Sequence, residues 1–363
     1  MAAGPVARRP GEADGRRRGP SVSTAGIDIE RRKALHAMKL RTLAAENLGL
    51  GDLEVTGFVD GAAGWTRTAA AYLAEGDEHA DRALGRALAY SRRHPVGTVH
   101  VMAAGDAAGT LARRAAEFSV PPVVWAVHGR RLSPAEAAPQ PDAAAAPGPS
   151  SLDAARLLAD AGAEVLVEDG VLVGEILGLE VARWLDDPPR LEVGVGRHDR
   201  EAFALLHGDI PTTEALGQVV SSVRAQRRPD ADHHPLNRLA LERWLRRSLV
   251  CRPGAVGCAE LEPADPPVPR LGVKDPRPAV ATGTSVDGRP VVVVASTGID
   301  LDLVPFGADA RLRTAAESRL VLVVPERDAH PITNALAAAL SRPAEVLTVG
   351  NDWRRWAMEP GPS

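Results

Sequence analysis

The densest group of side chains that could do acid–base or metal chemistry lies between Glu164 and Arg247. Six ionisable residues occur close together here: His198, Asp199, His207, Asp209, His233 and His234. Imidazole and carboxylate groups are common proton carriers and metal ligands in enzymes. The sequence therefore offers this stretch as a first candidate catalytic region, with His198 and Asp199 as catalytic candidates.

The spacing of these histidines does not favour one shared metal ion. His198 and His207 lie on or next to a helix predicted over 199–207, which separates them by about 13 Å along its axis at roughly 1.5 Å per residue. That distance is too long for both rings to bind the same ion. His233 and His234 fall in a predicted polar loop and could join one of the other two, or they could be solvated.

A second group of acidic residues follows two predicted strands near the C-terminus. Asp300 and Asp302 come after the strand PVVVVAS, and Glu326 and Asp328 come after the strand RLVLVVP. In α/β sheets, ligands bind beyond the carboxyl ends of parallel strands. Carboxylate oxygens are the ligands that Mg²⁺ and Mn²⁺ prefer. The sequence therefore predicts a divalent-metal site made of these four residues.

Helix capping is the alternative role for such acids. Carboxylates near a helix N-terminus accept hydrogen bonds from free amides and complement the helix dipole. Asp106 and Asp328 both stand where the N-cap of a predicted helix belongs. For these two residues capping is favoured over metal binding.

The predicted elements place these acids in a repeated α/β framework. After a tail over 1–28 predicted to be disordered, residues 29–130 form a helix and then a β-β-α-β-α-β series. Residues 278–352 repeat that series, and a shift of 222 positions aligns 67–129 with 289–351 without a gap. The shift pairs Val101 with Val323, and the match predicts an internal duplication.

A different unit is predicted between the two copies. Strands are predicted over 164–168, 171–177, 178–185 and 190–195, most of which alternate apolar and polar residues, and helices follow over 199–207, 212–225 and 236–249. Proline-rich segments predict linkers over 131–151 and 251–277, and 353–363 is predicted to be a tail. The predicted fold class is α/β, with two similar β-β-α-β-α-β units flanking a mostly antiparallel α+β unit over 152–250.

Composition narrows the class of protein. A net charge of −4 gives no overall basic field for nucleic acid, although a local basic patch or the N-terminal arginines could still contact it. Cys251 and Cys258 are too few for a disulfide framework or a four-thiolate zinc site. No apolar run is long enough to span a membrane, and no secretory signal follows the N-terminal arginines. These features predict a cytoplasmic protein. Its binding partner could be nucleic acid, another protein or a second copy of the chain.

Two resemblances bear on function. The segments DLDLVPFGADAR and HPLNRLALERWL resemble a family of uncharacterised proteins from high-GC bacteria over most of residues 50–350, which implies no activity. The element order of each copy is similar to the αβββαβ core of the restriction-endonuclease-like fold. That fold implies an acid followed by E-x-K on the next strand. Asp186 and Asp187 precede Glu192 in this way, which makes Glu192 a further catalytic candidate, but Gly194 stands in the place of the lysine.

Together the sequence features favour a nuclease-like or otherwise phosphoester-directed protein that uses Mg²⁺ or Mn²⁺. Because the motif is incomplete, a catalytically degenerate form stays open. The alternative function is a noncatalytic scaffold or regulatory protein that uses its duplicated units as interaction surfaces.

Overall fold

The fold is a mixed α/β arrangement with three sheets. The computed structural model describes residues 24–76, 79–94, 96–197, 199–201, 211–231, 234–314 and 316–358, and only the backbone of residues 24–27. Its named helices are α1 (Thr24–Leu48), α2 (Ala83–Ser91), α3 (Gly105–Ala115), α4 (Ser151–Asp160), α5 (Thr212–Gln226), α6 (Leu241–Cys251), α7 (Leu303–Thr314), α8 (Pro331–Ala338) and α9 (Trp353–Trp356).

The strands fall into three groups along the chain. The first sheet contains β1 (Glu54–Phe58), β2 (Gly61–Trp65), β3 (Ala69–Ala74), β4 (Thr98–Ala103), β5 (Val123–His128) and β6 (Arg131–Pro134). The second contains β7 (Glu164–Glu168), β8 (Val171–Ile176), β9 (Leu179–Asp186) and β10 (Pro189–Val193). The third contains β11 (Cys258–Ala264), β12 (Ala279–Ser285), β13 (Pro290–Ala295), β14 (Arg319–Pro325) and β15 (Glu345–Val349).

The first and third sheets share one pairing pattern. In each, three antiparallel strands form a meander, the third strand pairs in parallel with a fourth, and the fourth pairs in parallel with a fifth; the fourth and fifth each follow a helical crossover. We call α1 to β6 the first outer unit and α6 to α9 the second outer unit. The middle unit, α4 to α5, has a wholly antiparallel sheet, as predicted for this part of the chain.

The two outer units share one hydrophobic core. Their sheets face each other across a layer formed by α2, α3, α7 and α8. Val101 and Leu111 of the first outer unit and Phe306 and Leu322 of the second are completely or almost completely buried in it. Burying one such side chain contributes about 1.5–3 kcal/mol, so each unit gains stability from its contact with the other.

The opposite faces of these sheets have separate covers. Leu40 and Leu43 of α1 pack on the first sheet. Trp244 of α6 packs on the third sheet, and Trp353 of α9 meets it edge-on with ring centroids 6.0 Å apart. The predicted tail over 353–363 is therefore wrong at its start, because Trp353 closes this core.

Two reciprocal backbone hydrogen bonds join the outer units at the edge of the shared core. Ser119 N donates to Ala339 O at 3.0 Å, and Ser341 N donates to Glu117 O at 2.8 Å. Phe118 and Leu340 lie between these bonds as an isolated antiparallel bridge. Corresponding positions in the two bonds differ by 222, the shift found in the sequence.

That shift does not hold for every strand. Ala70 pairs with Val99 in the first sheet, whereas Val292 pairs with Leu320 in the third, which is one residue earlier than the shift requires. Val101 therefore matches Leu322 in facing the shared core, while Val323 faces the opposite core. The gapless pairing of Val101 with Val323 is wrong by one position.

Other predicted boundaries also change. Helix α1 begins at Thr24, within the segment predicted to be disordered, and residues 1–23 lie outside the described residues. The predicted linkers contain β6 and β11, which gain their order by pairing with β5 and β12. The helix predicted over 236–249 is a short 3₁₀ turn at Pro235–Arg238 followed by α6.

Candidate functional site

A cleft of about 520 Å³ lies beyond the carboxyl ends of the parallel strands β13 and β14. We call it the strand-end cleft. Thr297 and Gly298 line it from the loop after β13, and Arg327 and Asp328 line it from the loop after β14. The start of α6 and the segment 273–276 form its other side.

Local backbone contacts fix the two strand-end loops. Asp328 Oδ2 accepts a hydrogen bond from Gly298 N at 2.8 Å, which ties the loops together. On the opposite side, Ala240 adopts a left-handed conformation with φ of 47° and begins α6. No side chain caps α6 at Ala240. First-turn amides of a helix have no partner within the helix and carry its partial positive charge, so this end of α6 favours a negative group.

Three cationic side chains surround the strand-end cleft. Arg238, Lys274 and Arg327 come from three separate segments and all are exposed. Within the described part of the chain, neither Arg238 nor Lys274 has an ion-pair partner, and Arg327 Nε is 3.8 Å from Asp328 Oδ1. Their charges are thus available to a ligand in the cleft.

The acidic side chains of the cleft are largely engaged. Asp275 is buried and receives a hydrogen bond from Arg277 Nη1 at 2.6 Å. Glu242 is 5% exposed and accepts a hydrogen bond from the Thr297 hydroxyl at 2.6 Å. Burial raises the pKa of Glu242 above its usual range, although the Thr297 hydrogen bond opposes this. The cleft therefore combines exposed cations with a carboxyl group whose pKa is raised, so that it holds its proton more readily than an exposed glutamate.

The predicted metal ligands Asp300 and Asp302 point to arginines instead. Arg82 Nη2 donates to Asp300 Oδ1 at 2.8 Å, and Arg114 Nη1 donates to Asp302 Oδ2 at 3.2 Å. Both arginines belong to the first outer unit, and Arg114 is completely buried. Burial raises the pKa of Asp302 to about 7, against the opposing charge of Arg114. These two carboxylates join the outer units.

A third aspartate completes this inter-unit network. Asp309 is completely buried and receives two hydrogen bonds from Arg113, from Nε at 2.8 Å and from Nη2 at 3.0 Å. Arg114 Nε donates to it at 3.0 Å and Gln140 Nε2 at 2.7 Å. Burial alone would raise the pKa of Asp309, but the hydrogen bonds and charges of Arg113 and Arg114 hold it below the usual range.

The remaining predicted ligands do not complete a metal site with them. Glu326 is exposed in a 3₁₀ turn, and Asp328 binds the Gly298 amide. Among the residues that the structure describes, no group of three or more His, Cys, Asp or Glu side chains is close enough to hold one ion. The four predicted residues, two of which are bound to arginines, do not fit a divalent ion as they stand.

The capping alternative also fails at the predicted positions. Helix α3 follows Ala104 as its N-cap, and Asp106 lies in its first turn. Helix α8 is capped by His330, whose Nδ1 accepts from Ile332 N at 3.2 Å. Neither Asp106 nor Asp328 is an N-cap, because α3 already begins at Gly105 and the residue directly before α8 is His330.

The catalytic candidates of the middle unit are separated or occupied. Glu192 accepts a hydrogen bond from Arg190 Nη2 at 2.7 Å, and Asp199 Oδ2 accepts one from Val195 N at 2.6 Å. His198 lies outside the described residues, as do His207, Asp209 and His233. His234 Nδ1 accepts from Leu236 N at 3.3 Å and caps a 3₁₀ turn.

The charged face of the middle unit is bound to α6. Glu175 is 1% exposed and pairs with Arg243 at 3.0 Å and with Arg246 at 3.2 Å. Arg246 also pairs with Glu168 at 3.3 Å. Burial opposes ionisation of Glu168, but Arg270 and its neighbouring arginines outweigh it and lower its pKa to about 2. These acids therefore hold the middle unit against the second outer unit.

Fold and cleft together define a mixed α/β protein with a cation-lined cleft at a parallel strand edge. Comparison of the chain with known protein families, with characterised proteins and with solved structures finds no significant match. No helix in the described ranges is both long and apolar enough to cross a bilayer.

Proposed function

We propose that the protein is phosphoester-directed and binds the phosphate group of a ligand in the strand-end cleft. The observation that carries this proposal is the convergence of Arg238, Lys274 and Arg327 at the carboxyl ends of β13 and β14. Guanidinium and ammonium groups are the usual side-chain partners of phosphate. A cleft of about 520 Å³ also lies within the range of small-ligand pockets.

The start of α6 supports the same ligand class. Helix N-termini attract phosphate because their amides donate hydrogen bonds and their dipole favours negative charge. Glu242 lies at this end and, unlike the buried Asp275, makes no close ion pair with an arginine in the described part of the chain. Its raised pKa reduces its repulsion of an incoming anion at acidic pH.

Glu242 is the acid of the described cleft lining whose pKa is raised by burial. A carboxyl group with a raised pKa acts as a general acid or base nearer neutral pH than an exposed one. Hydrolysis of the bound ester, in which water attacks phosphorus and the alcohol leaves, would draw on Glu242 for proton transfer. The endonuclease-like pattern gives no support here, because β3 and β13 consist of AAAYLA and PVVVVA and carry no charged side chain.

Binding is tested by isothermal titration of the protein with inorganic sulfate, which keeps its charge across the pH range, and with p-nitrophenyl phosphate. Replacing both Lys274 and Arg327 with glutamine should lower the affinity for both ligands by about tenfold or more, since each charge-assisted hydrogen bond contributes about 1.5–3 kcal/mol. Release of p-nitrophenolate in the same samples, with and without Mg²⁺ or Mn²⁺, shows whether binding leads to hydrolysis.

Lys33→Gln is the matched control, because Lys33 is a partly exposed lysine on α1 that pairs with Glu30 far from the cleft. It should leave both affinities unchanged. Equal affinities for the wild type and the Lys274→Gln/Arg327→Gln variant, or no binding by the wild type at millimolar ligand, would contradict the proposal.

We also propose that the two outer units arose by duplication. Three observations support this: the common strand pairing, the shared shift of 222 at the exchanged hydrogen bonds, and the matching faces of β3 and β13 in the common core. The one-residue difference at β4 is then a later change within one copy. A natural chain that contains a single unit and forms a homodimer through the segment matching 117–119 would test this origin.

A further inference from the structure

A second pocket, of about 250 Å³, lies where α2 of the first outer unit meets the loop before α7. We call it the aromatic pocket. The chain has two tyrosines, and both Tyr72 and Tyr90 line this pocket together with Phe58. Because aromatic residues make up 3% of the sequence, three in one small pocket is a marked concentration.

The floor of the aromatic pocket is polar. Tyr72 is 5% exposed, and its hydroxyl lies close enough to the Arg86 guanidinium for that charge to oppose the rise that burial causes in the Tyr72 pKa. Arg86 Nη1 also donates to Asp60 Oδ2. The pocket thus presents a hydroxyl, a guanidinium and a carboxylate in one connected row, which is suited to the polar edge of a ligand.

The mouth of the aromatic pocket is formed by the ring of Tyr90, which packs on neighbouring rings, and by the exposed cation of Arg93. Tyr90 packs against the His94 ring with centroids 5.3 Å apart, and His94 stacks on Trp65 at 4.3 Å and 14°. This stack holds the Tyr90 ring in place before a ligand arrives. Arg93, one turn further along, is exposed and has no ion-pair partner among the described residues.

The remaining wall comes from the other outer unit. Leu301 lines the pocket, and its carbonyl oxygen approaches α2 so closely that a Cβ at Gly85 would lie 1.8 Å from it. Glycine at position 85 is therefore what allows the wall to close. The pocket exists only when both outer units are docked.

We propose that the aromatic pocket binds a planar aromatic ring that carries an anionic substituent. The ring packs against Tyr90, Phe58 and Leu301, its polar edge meets the Tyr72–Arg86–Asp60 row, and the anion pairs with Arg93. Aromatic faces favour such stacking, and an exposed guanidinium pairs with phosphate or carboxylate. The volume is below that of pockets for drug-sized ligands, so it fits one ring system.

Two sources share this chemistry, a mononucleotide and an aromatic carboxylic acid. Isothermal titration with adenosine 5′-monophosphate and with 4-hydroxybenzoate separates them. Adenosine and ribose 5-phosphate are the partial probes, since each lacks either the anion or the ring. We expect at least one complete probe to bind the wild type, and to bind more tightly than its partial probes.

Two variants connect that binding to the pocket. Tyr90→Leu removes the ring and Arg93→Gln removes the charge, and each should raise the Kd of the bound probe by about tenfold. Tyr90→Phe keeps the ring, and Arg156→Gln changes an arginine of α4 that is 78% exposed; both should retain wild-type affinity. Arg93 is exposed, so its variant stays folded even if Tyr90→Leu does not.

The outcomes separate this pocket from the strand-end cleft. Binding that Arg93→Gln weakens and Lys274→Gln/Arg327→Gln leaves intact supports the proposal, whichever complete probe binds. Failure of both complete probes to bind the wild type overturns it. Binding that survives Tyr90→Leu and Arg93→Gln overturns it as well, and binding lost only in the cleft variant assigns the probe to the cleft.

Discussion

Three aspartates and three arginines meet in the interface between the outer units. Asp300, Asp302 and Asp309 come from the second outer unit, and Arg82, Arg113 and Arg114 come from the first. Removing one partner of a buried ion pair leaves the other charge without compensation, at a cost of about 3–5 kcal/mol. The acids therefore specify how the two units dock.

Asp302 makes this docking dependent on pH. Its pKa rises from an ordinary value of 3.8 to about 7, chiefly because of burial. The folded protein then binds a proton that the unfolded chain has released between these pH values, so the contribution of Asp302 to stability is present below pH 3.8 and is lost as pH rises through 7. We expect the free energy of unfolding of the wild type, relative to Asp302→Asn, to fall with rising pH by up to about 1.4 kcal/mol per unit.

Urea unfolding of both proteins at several pH values between 4.5 and 8 measures this difference. The lost Arg114 contact shifts all values of the variant together, so only the slope of the difference against pH carries the prediction. A flat difference would show that Asp302 keeps an ordinary pKa in the folded protein.

At the scale of single elements, α2 shows how close the outer units approach. Alanine normally stabilises a helix relative to glycine by about 0.5–1 kcal/mol. At Gly85 the added Cβ would lie 1.8 Å from Leu301 O, which is a backbone atom that cannot rotate away. We expect Gly85→Ala to destabilise the protein by about 1–3 kcal/mol or more, since α2 must move off the loop.

At Gly217 in α5, substitution by alanine should have the opposite effect on stability. A Cβ there meets no atom within 4 Å, so Gly217→Ala should show the ordinary helical gain. Thermal unfolding of the two variants beside the wild type gives the comparison. A stabilising Gly85→Ala would mean that α2 and the loop at Leu301 are not in contact in solution.

The strands differ in how well the sequence predicts them. The strands of the middle unit match the prediction within about two residues because short turns at 169–170, 177–178 and 187–188 separate runs that are rich in Val and Leu. Strand β2 was missed because its residues GAAGW carry neither β-branched side chains nor alternation, and pairing on both sides orders it. Strand β11 was missed because prolines around it indicate a linker, whereas β12 supplies its partner.

The candidate site was less predictable than the fold. The sequence shows the carboxylates Asp300 and Asp302 but not the arginine Arg114, which is 188 residues from Asp302. The cleft cations Arg238, Lys274 and Arg327 come from segments that only tertiary packing brings together. Of the predicted residues, Asp328 alone lines the strand-end cleft in the described structure.

For the whole molecule, the shared core implies that the outer units unfold together. Leu340 is 1% exposed in that core and belongs to the second outer unit. Leu340→Ala should cost about 2–5 kcal/mol. Because Val101 and Leu322 lie in the same core, the loss should appear equally in both units.

Hydrogen exchange in increasing urea, read by mass spectrometry for peptides from β4 and β14, checks this. Both peptides should lose protection at the same urea concentration, and Leu340→Ala should lower that concentration equally for both. Leu152→Ala, at a 61% exposed position on α4, should change neither. Protection of β4 that is unaffected by Leu340→Ala would show two independent folding units.

The segments 117–119 and 339–341 each donate one backbone hydrogen bond to the other. This contact has the form of an isologous dimer interface, in which each side presents the same surface to the other. In a homodimer, one surface of a single sequence supplies both sides of such a contact. On the proposed duplication, carrying both sides of this contact in one chain fixes their ratio and local concentration, and each side is free to diverge. On the same proposal, the second outer unit carries Lys274 and Arg327 of the strand-end cleft and the first carries the rings of the aromatic pocket, a difference that identical subunits of a homodimer cannot have.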